Sequence, residues 1–168
     1  MIIVAECYAN TCFAEALRGV LREKGFLEVR IVHKHVMGRD RVLRESLAIA
    51  DKTNDFVLAV IDREEGIASS YIDKNFKIQE TYEGILLGVS NRASNLLAVI
   101  FDPDIERAFL CKIASVLCEE GYRRRVKSGG ACSILGRYLG GERAQDILRG
   151  LAEELKAMIG GGRVRDRG

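Results

Sequence analysis

Three apolar runs along the chain each end in a carboxylate. Residues 1–5 lead into Glu6, residues 56–61 into Asp62-Arg-Glu64, and residues 96–101 into Asp102-Pro-Asp104. Short continuous runs of this kind predict strands buried on both faces, as in a sheet covered by helices. Between them the apolar period lengthens to that of a helix. Residues 9–24 carry a stripe of Phe13, Leu17, Val20 and Leu21 and stop before Gly25, and residues 39–52 repeat the spacing through Val42, Leu43, Leu47 and Ile49/Ala50. Residues 28–32 alternate apolar and polar positions and predict a second strand. Residues 66–79 read as a short helix and loop, while residues 81–89 read equally as strand or helix, because neither length nor β-branching decides. A helix is predicted over 105–120, with Ile105, Phe109, Ile113, Val116 and Leu117 facing inward, and further helices over 131–139 and 143–158. This succession predicts an α/β fold, a three-layer sandwich around a mainly parallel sheet. Residues 1–159 form one α/β domain in this reading, and Gly160-Gly-Gly162 ends the last helix and releases a flexible basic tail over 160–168.

Composition narrows the class. The chain has 168 residues, 48% of them hydrophobic, which is enough to bury one substantial core, and a single proline leaves no sign of an internal linker. No run of about 18 apolar residues is present to span a bilayer. The apolar N-terminus also lacks the preceding basic region of a secretory signal, so a cytoplasmic location and no membrane partner are expected. Arginine outnumbers lysine, a bias compatible with a thermophilic source. The five cysteines, Cys7, Cys12, Cys111, Cys118 and Cys132, form no CxxC pair, and their odd number argues against a complete disulfide framework and against structural zinc. Cys111 and Cys118 are expected to share the buried face of the 105–120 helix as free thiols packed like small hydrophobes.

Charge is nearly balanced. The formal net charge of +2 gives the whole molecule little attraction for nucleic acid, so local clusters matter more. Arg123-Arg-Arg125 with Lys127, and Arg163-Val-Arg165-Asp-Arg167, are candidate phosphate contacts, each weighed against a plain solvated surface. A homo-oligomer is compatible with the sequence but not specified by it.

The candidate chemistry lies in the acids. In open α/β sheets the carboxyl ends of strands line the ligand crevice, so acids at several such ends converge on one place. Clustered carboxylate oxygens are what a hard cation such as Mg²⁺, or Mn²⁺, requires. Asp62 and Glu64 are two residues apart and face one side if the strand persists that far; Glu6 supplies a third oxygen ligand from another strand. The plainer alternative is that acids after strands solvate the sheet edge or cap the next helix. Glu106 divides the same way between the crevice and the first turn of its helix, and Asp102/Asp104 between a second metal pair and a turn. His33 and His35 would share one side of a strand, but two histidines without a third ligand define no zinc site. No Ser-His-Asp arrangement can be assigned, and Ser128-Gly-Gly130 and Gly140-Gly141 lack a P-loop pattern.

These motifs resemble the Toprim-like superfamily, especially the compact relatives of the nuclease domain of overcoming-lysogenization-defect (OLD) proteins. In such families a strand is followed by glutamate, glycine, two variable residues, an acid, two more residues and an aromatic, and a later strand ends in Asp-x-Asp or a close variant. Glu6 and Phe13 fit the first motif and Val60-Ile-Asp62-Arg-Glu64 the second. Asp104-Ile-Glu106 with Leu110 resembles the later acidic strand-to-helix segment, and Lys127 is similar in placement to a late lysine that approaches phosphate. The resemblance covers roughly residues 1–130. Cys7 departs from it by replacing the glycine, and Asn10 by replacing an acid with a neutral carbonyl donor. The resemblance implies a Toprim-like/Rossmann-like sheet and a Mg²⁺-dependent phosphodiesterase or nuclease acting on nucleic acid. Glu6, Asp62, Glu64 and Glu106 would be metal ligands in it, and Glu6, Asp62 and Lys127 the catalytic groups. The alternative is a non-catalytic Toprim-like binding or assembly module. A nucleotide-binding Rossmann-like protein is a third class, without a glycine fingerprint after the first strand.

Overall fold

A computed structural model describes residues 1–33 and 38–161. The side chain of His33, all of His35 and the Arg163–Arg167 tail lie outside the described part, and with them the histidine pair and the basic tail. The described residues build a six-stranded mixed sheet in the order β2-β1-β3-β6-β5-β4. Its strands are β1 (Ile2–Ala5), β2 (Arg30–His33), β3 (Val57–Asp62), β4 (Phe76–Tyr82), β5 (Ile85–Ser90) and β6 (Leu96–Phe101). The pairs β1/β2, β1/β3 and β3/β6 are parallel, and β5/β6 and β4/β5 antiparallel.

Helices cover both faces. Side chains alternate along β3 and β6, so Leu58, Val60, Leu97, Val99 and Phe101 enter one core while Val57, Ala59, Ile61, Leu96, Ala98 and Ile100 enter the other. The first core is completed by α1 (Tyr8–Glu23), α6 (Ala131–Leu139) and α7 (Glu142–Gly160), and the second by α2 (Arg39–Ala50) and α3 (Ile67–Asn75). The central strands are buried on both sides, which is why they read as continuous apolar runs.

The mixed character comes from residues 76–90. Glu83 and Gly84 both take positive φ, 54° and 86°, the two-residue turn that suits the twist of a hairpin, and β4 therefore returns directly as β5. The segment left open between strand and helix is half of this hairpin.

The expected helix over 105–120 is broken, and here the sequence expectation is corrected. A π-helical turn (Glu106–Leu110) leads into α4 (Cys111–Ile113); Ala114 is extended, and a 3₁₀ turn (Ser115–Cys118) precedes α5 (Glu120–Arg125). The cysteine expectation is corrected with it: Cys111 is disulfide-bonded to Cys118 and Cys12 to Cys132, leaving Cys7 free. On a straight helix residues seven apart are about 10 Å apart along the axis. The bonded pair has a Cα separation of 5.2 Å, so the chain must fold back between them.

Phe13 of α1, Phe101 of β6 and Phe109 of the π turn meet in one fully buried group. Phe13 sits edge-on to the other two, with ring centroids 4.9 and 5.0 Å away. The trio fixes α1, the end of β6 and the π turn relative to one another. Of these elements, α1 carries Asn10 and the π turn carries Glu106 to the end of the sheet where Asp62 lies.

Candidate functional site

Parallel register brings the carboxyl ends of β1 and β3 level, with Ala5 opposite Val60. The Glu6 N–H donates to the Val60 carbonyl at 3.1 Å, and the Asp62 N–H donates to Glu6 Oε2 at 3.0 Å. Glu6 is thus held against the end of β3 by backbone hydrogen bonds. Asp62, the last residue of β3, lies on the α1 side; its Oδ1 accepts the Ile105 N–H at 3.1 Å and a long contact from Asn10 Nδ2 at 3.5 Å. Glu106 follows Ile105 in the π turn, a distortion that recurs at functional sites, and is 4% exposed. Lys127 reaches Glu106 Oε1 from solvent at 3.6 Å.

The electrostatics show how closely these acids crowd. Burial pushes Asp62 up to about 8, and repulsion from Glu6 and Glu106 adds to it, against the lowering effect of the Ile105 and Asn10 hydrogen bonds. Glu6 is raised as well, chiefly by burial, with repulsion from Glu64 adding to it. The Cys7 thiol is pushed up to about 12, first by burial and then by Asp62 and Glu6, so it stays protonated beside the acids. Asn10 is fully buried, and its Oδ1 has no hydrogen-bond partner. An orphaned buried carbonyl oxygen costs about 1–3 kcal/mol and calls for an explanation.

Glu64 is placed differently from the expectation. β3 ends at Asp62, and Glu64 takes a positive φ of 59°, its N–H donating to the Pro103 carbonyl at 2.7 Å. Alternation therefore does not extend to it. Its carboxylate lies 3.4 Å from Arg39 Nη1, close enough to Glu6 to repel it, on the α2 side of the strand ends. Arg39 is the residue that sequence reasoning missed. Its side chain is 10% exposed, donates to the Arg63 carbonyl at 3.0 Å, lies over Tyr71, and keeps an unpartnered buried Nε. The signal was available: a cation in the first turn of a helix opposes the macrodipole, and Arg39 opens α2. Glu6, Gly38, Arg39, Asp40, Arg41 and Glu64 line an open depression of about 310 Å³, and Asp40 lies 3.6 Å from Arg39.

The remaining acids take the plainer alternative. Asp102 pairs with Arg63 at 2.8 Å, and Asp104 Oδ1 accepts the Arg107 N–H at 2.8 Å, as a turn and a helix start require. Gly130 precedes α6, and Gly140-Gly141 separates α6 from α7, so these glycines serve helix ends.

Among the described residues, no three His, Cys, Asp or Glu side chains form a ready-made metal cage. The oxygens that do gather are those of Glu6 and Asp62, with Glu106 behind them; Asn10 turns its Nδ2 to Asp62 and keeps a buried Oδ1 without a partner. Mg²⁺ is commonly held by one or two carboxylates together with water and substrate phosphate, so this set fits it. No helix among the described residues is long and apolar enough to cross a membrane. No protein-family model matches the chain, and neither a curated protein nor a solved structure matches it.

Proposed function

We propose that the chain is a Toprim-like, Mg²⁺-dependent phosphodiesterase acting on nucleic acid. The observation that carries this is the gathering of Glu6 and Glu106 around the buried Asp62, whose carboxyl is pushed up to about 8 first by burial and then by their repulsion. Acids that repel one another across a water-poor site gain most from a divalent cation. Glu6 and Asp62 would hold it, with Asn10 Oδ1 as a neutral donor and Glu106 adding negative charge; Glu64 would join only by giving up Arg39. When bound, the cation neutralises the scissile phosphate and lowers the pKa of water beside it.

The chain's own residues supply the rest. Glu6, whose pKa is raised chiefly by burial, holds a proton more readily than an exposed carboxylate does. Lys127 is exposed and flexible enough to exchange Glu106 for a phosphate oxygen. Arg39, paired with Glu64 and Asp40, would have to exchange one of these acids to stabilise developing negative charge from the opposite side.

A non-catalytic Toprim-like binding module is favoured by one observation, the neutral Asn10 with its amide turned to Asp62. Calorimetric titration with Mg²⁺ and Mn²⁺ separates the two. The enzyme requires specific binding by the folded chain that Asp62→Ala abolishes, and cleavage that Asp62→Asn lowers by orders of magnitude with the fold intact. A folded wild type that binds neither ion overturns the enzyme and leaves the module.

A further inference from the structure

The segment 119–130 carries Arg123, Arg124 and Arg125 and brings Lys127 to Glu106 of the carboxylate site, with few buried side chains of its own to hold it there. Val126 is its one fully buried residue, Tyr122 packs part-buried against the core and pairs with Tyr138 of α6, and its backbone hydrogen bonds run within the segment and its borders. Beyond Val126, the polar link to the site is the Lys127–Glu106 pair. The segment is instead bracketed by two covalent bonds, with Cys118 immediately before it and Cys132 just after it. The partner of Cys132 is Cys12, on α1 two residues after Asn10. The Cys12–Cys132 bond therefore ties the basic segment to the helix that carries Asn10 to Asp62.

This bond is open to attack from one side. Cys12 is 2% exposed, whereas Cys132 is exposed, and both line a cleft of about 290 Å³ with Glu15, Gly136, Leu139 and Gln145. We propose that the cleft is a thiol–disulfide exchange site for a dithiol reductant, and that reduction of Cys12–Cys132 releases the 119–130 segment and withdraws Lys127 from the carboxylate site. The first part stands alone; the effect on the reaction rests on the phosphodiesterase reading.

The exchange balances with the dithiol as two-electron donor. One thiolate of the reductant attacks the Sγ of Cys132, the exposed residue of the pair, a new S–S bond forms to it, and the Cys12–Cys132 bond breaks with Cys12 leaving as thiolate. The second thiolate of the reductant then attacks its own sulfur in the mixed disulfide, displaces Cys132 and leaves the reductant as a disulfide. The two protons lost by the dithiol end on Cys12 and Cys132.

The test reduces the folded chain with dithiothreitol and maps the thiols by alkylation and mass spectrometry. It follows amide exchange over 119–130 against β3 and β6, and measures Mg²⁺-dependent cleavage of a phosphodiester before and after reoxidation. A Cys111→Ser/Cys118→Ser variant isolates the Cys12–Cys132 bond, and Cys132→Ser mimics its loss without changing a buried side chain. Expected are reduction of the bond in the folded chain, exchange over 119–130 faster by about tenfold with β3 and β6 still protected, and a reversible fall in cleavage of about tenfold. Unchanged exchange over 119–130, a bond that resists the dithiol until the chain unfolds, or equal cleavage in both states overturns the inference. Faster exchange over 119–130 with no cleavage in either state supports the exchange site and overturns the phosphodiesterase reading instead.

Discussion

Asp62 makes the stability of the metal-free chain depend on pH in an unusual direction. Its carboxyl titrates at about 8 when folded, far above its ordinary value of 3.8, so between those values the folded state binds the extra proton. Stability from this group is therefore full below its unfolded pKa and is lost as pH rises through about 8. Thermal melts of the metal-free protein should fall by at least about 5 °C between about pH 5 and about pH 9, and Asp62→Asn should flatten that slope. A slope unchanged in Asp62→Asn would place the titration elsewhere. Asn10 gives the complementary experiment. Asn10→Asp adds a fourth carboxyl where an oxygen is already unpartnered, so the metal-free protein should melt lower while Mg²⁺ affinity rises about tenfold. Affinity equal to wild type in calorimetry would show that this oxygen does not face the cation.

At the scale of elements, the aromatic trio joins the core to the site. Phe13→Ala should cost about 3–5 kcal/mol in denaturant unfolding, because Phe13 is fully buried against both Phe101 and Phe109. It should also weaken Mg²⁺ binding although Phe13 touches no acid, since α1 and the π turn would lose their common anchor; a purely thermodynamic loss with unchanged affinity would break that link. The elements legible in the sequence are those whose pattern is set locally. The strand over Leu96–Phe101 and the helix over Ala131–Leu139 have the bounds expected of them, because burial on both faces and a 3.6-residue stripe each leave a direct mark. The 105–120 segment misled for a tertiary reason: its helical spacing was real, but a covalent pair fixes the fold-back that spacing cannot express. The β4–β5 hairpin was hidden by its apolar β5 strand, although Glu83-Gly84 was a usable turn signal. In the site, Glu6, Asp62 and Glu106 follow from strand ends and a helix start. Glu64 does not, because alternation stops where the strand stops; Arg39 was marked only by its unfavourable place in the first turn of α2, and the Arg63 carbonyl that holds it is a tertiary contact.

Across the whole molecule, the distribution of charge decides how a polyanion could reach acids that repel it. The net charge of +2 gives no long-range steering, and the strand ends where the chemistry would occur are themselves acidic. Approach would then depend on short-range cations: Lys127 is exposed beside Glu106, and α5 just before it adds Arg124, exposed and paired with Glu120, and the half-buried Arg123. Removing one side-chain cation that neutralises a phosphate should reduce the slope of log affinity against log salt by about 0.7 for a single strand or about 0.9 for a duplex. Arg123→Ala/Arg124→Ala should therefore lower the slope by the amount due to one or both arginines and weaken binding equally across sequences, with Mg²⁺ affinity at the carboxylates unchanged. Electrophoretic or fluorescence titrations over a range of salt read this directly. If the slope is the same in the variant, α5 is a solvated surface, and the nucleic-acid contact the proposed function requires would have to run through other cations. If slope and Mg²⁺ affinity fall together, the two charge systems are coupled through Lys127 and Glu106, whose 3.6 Å pairing is the bridge between the basic segment and the acids.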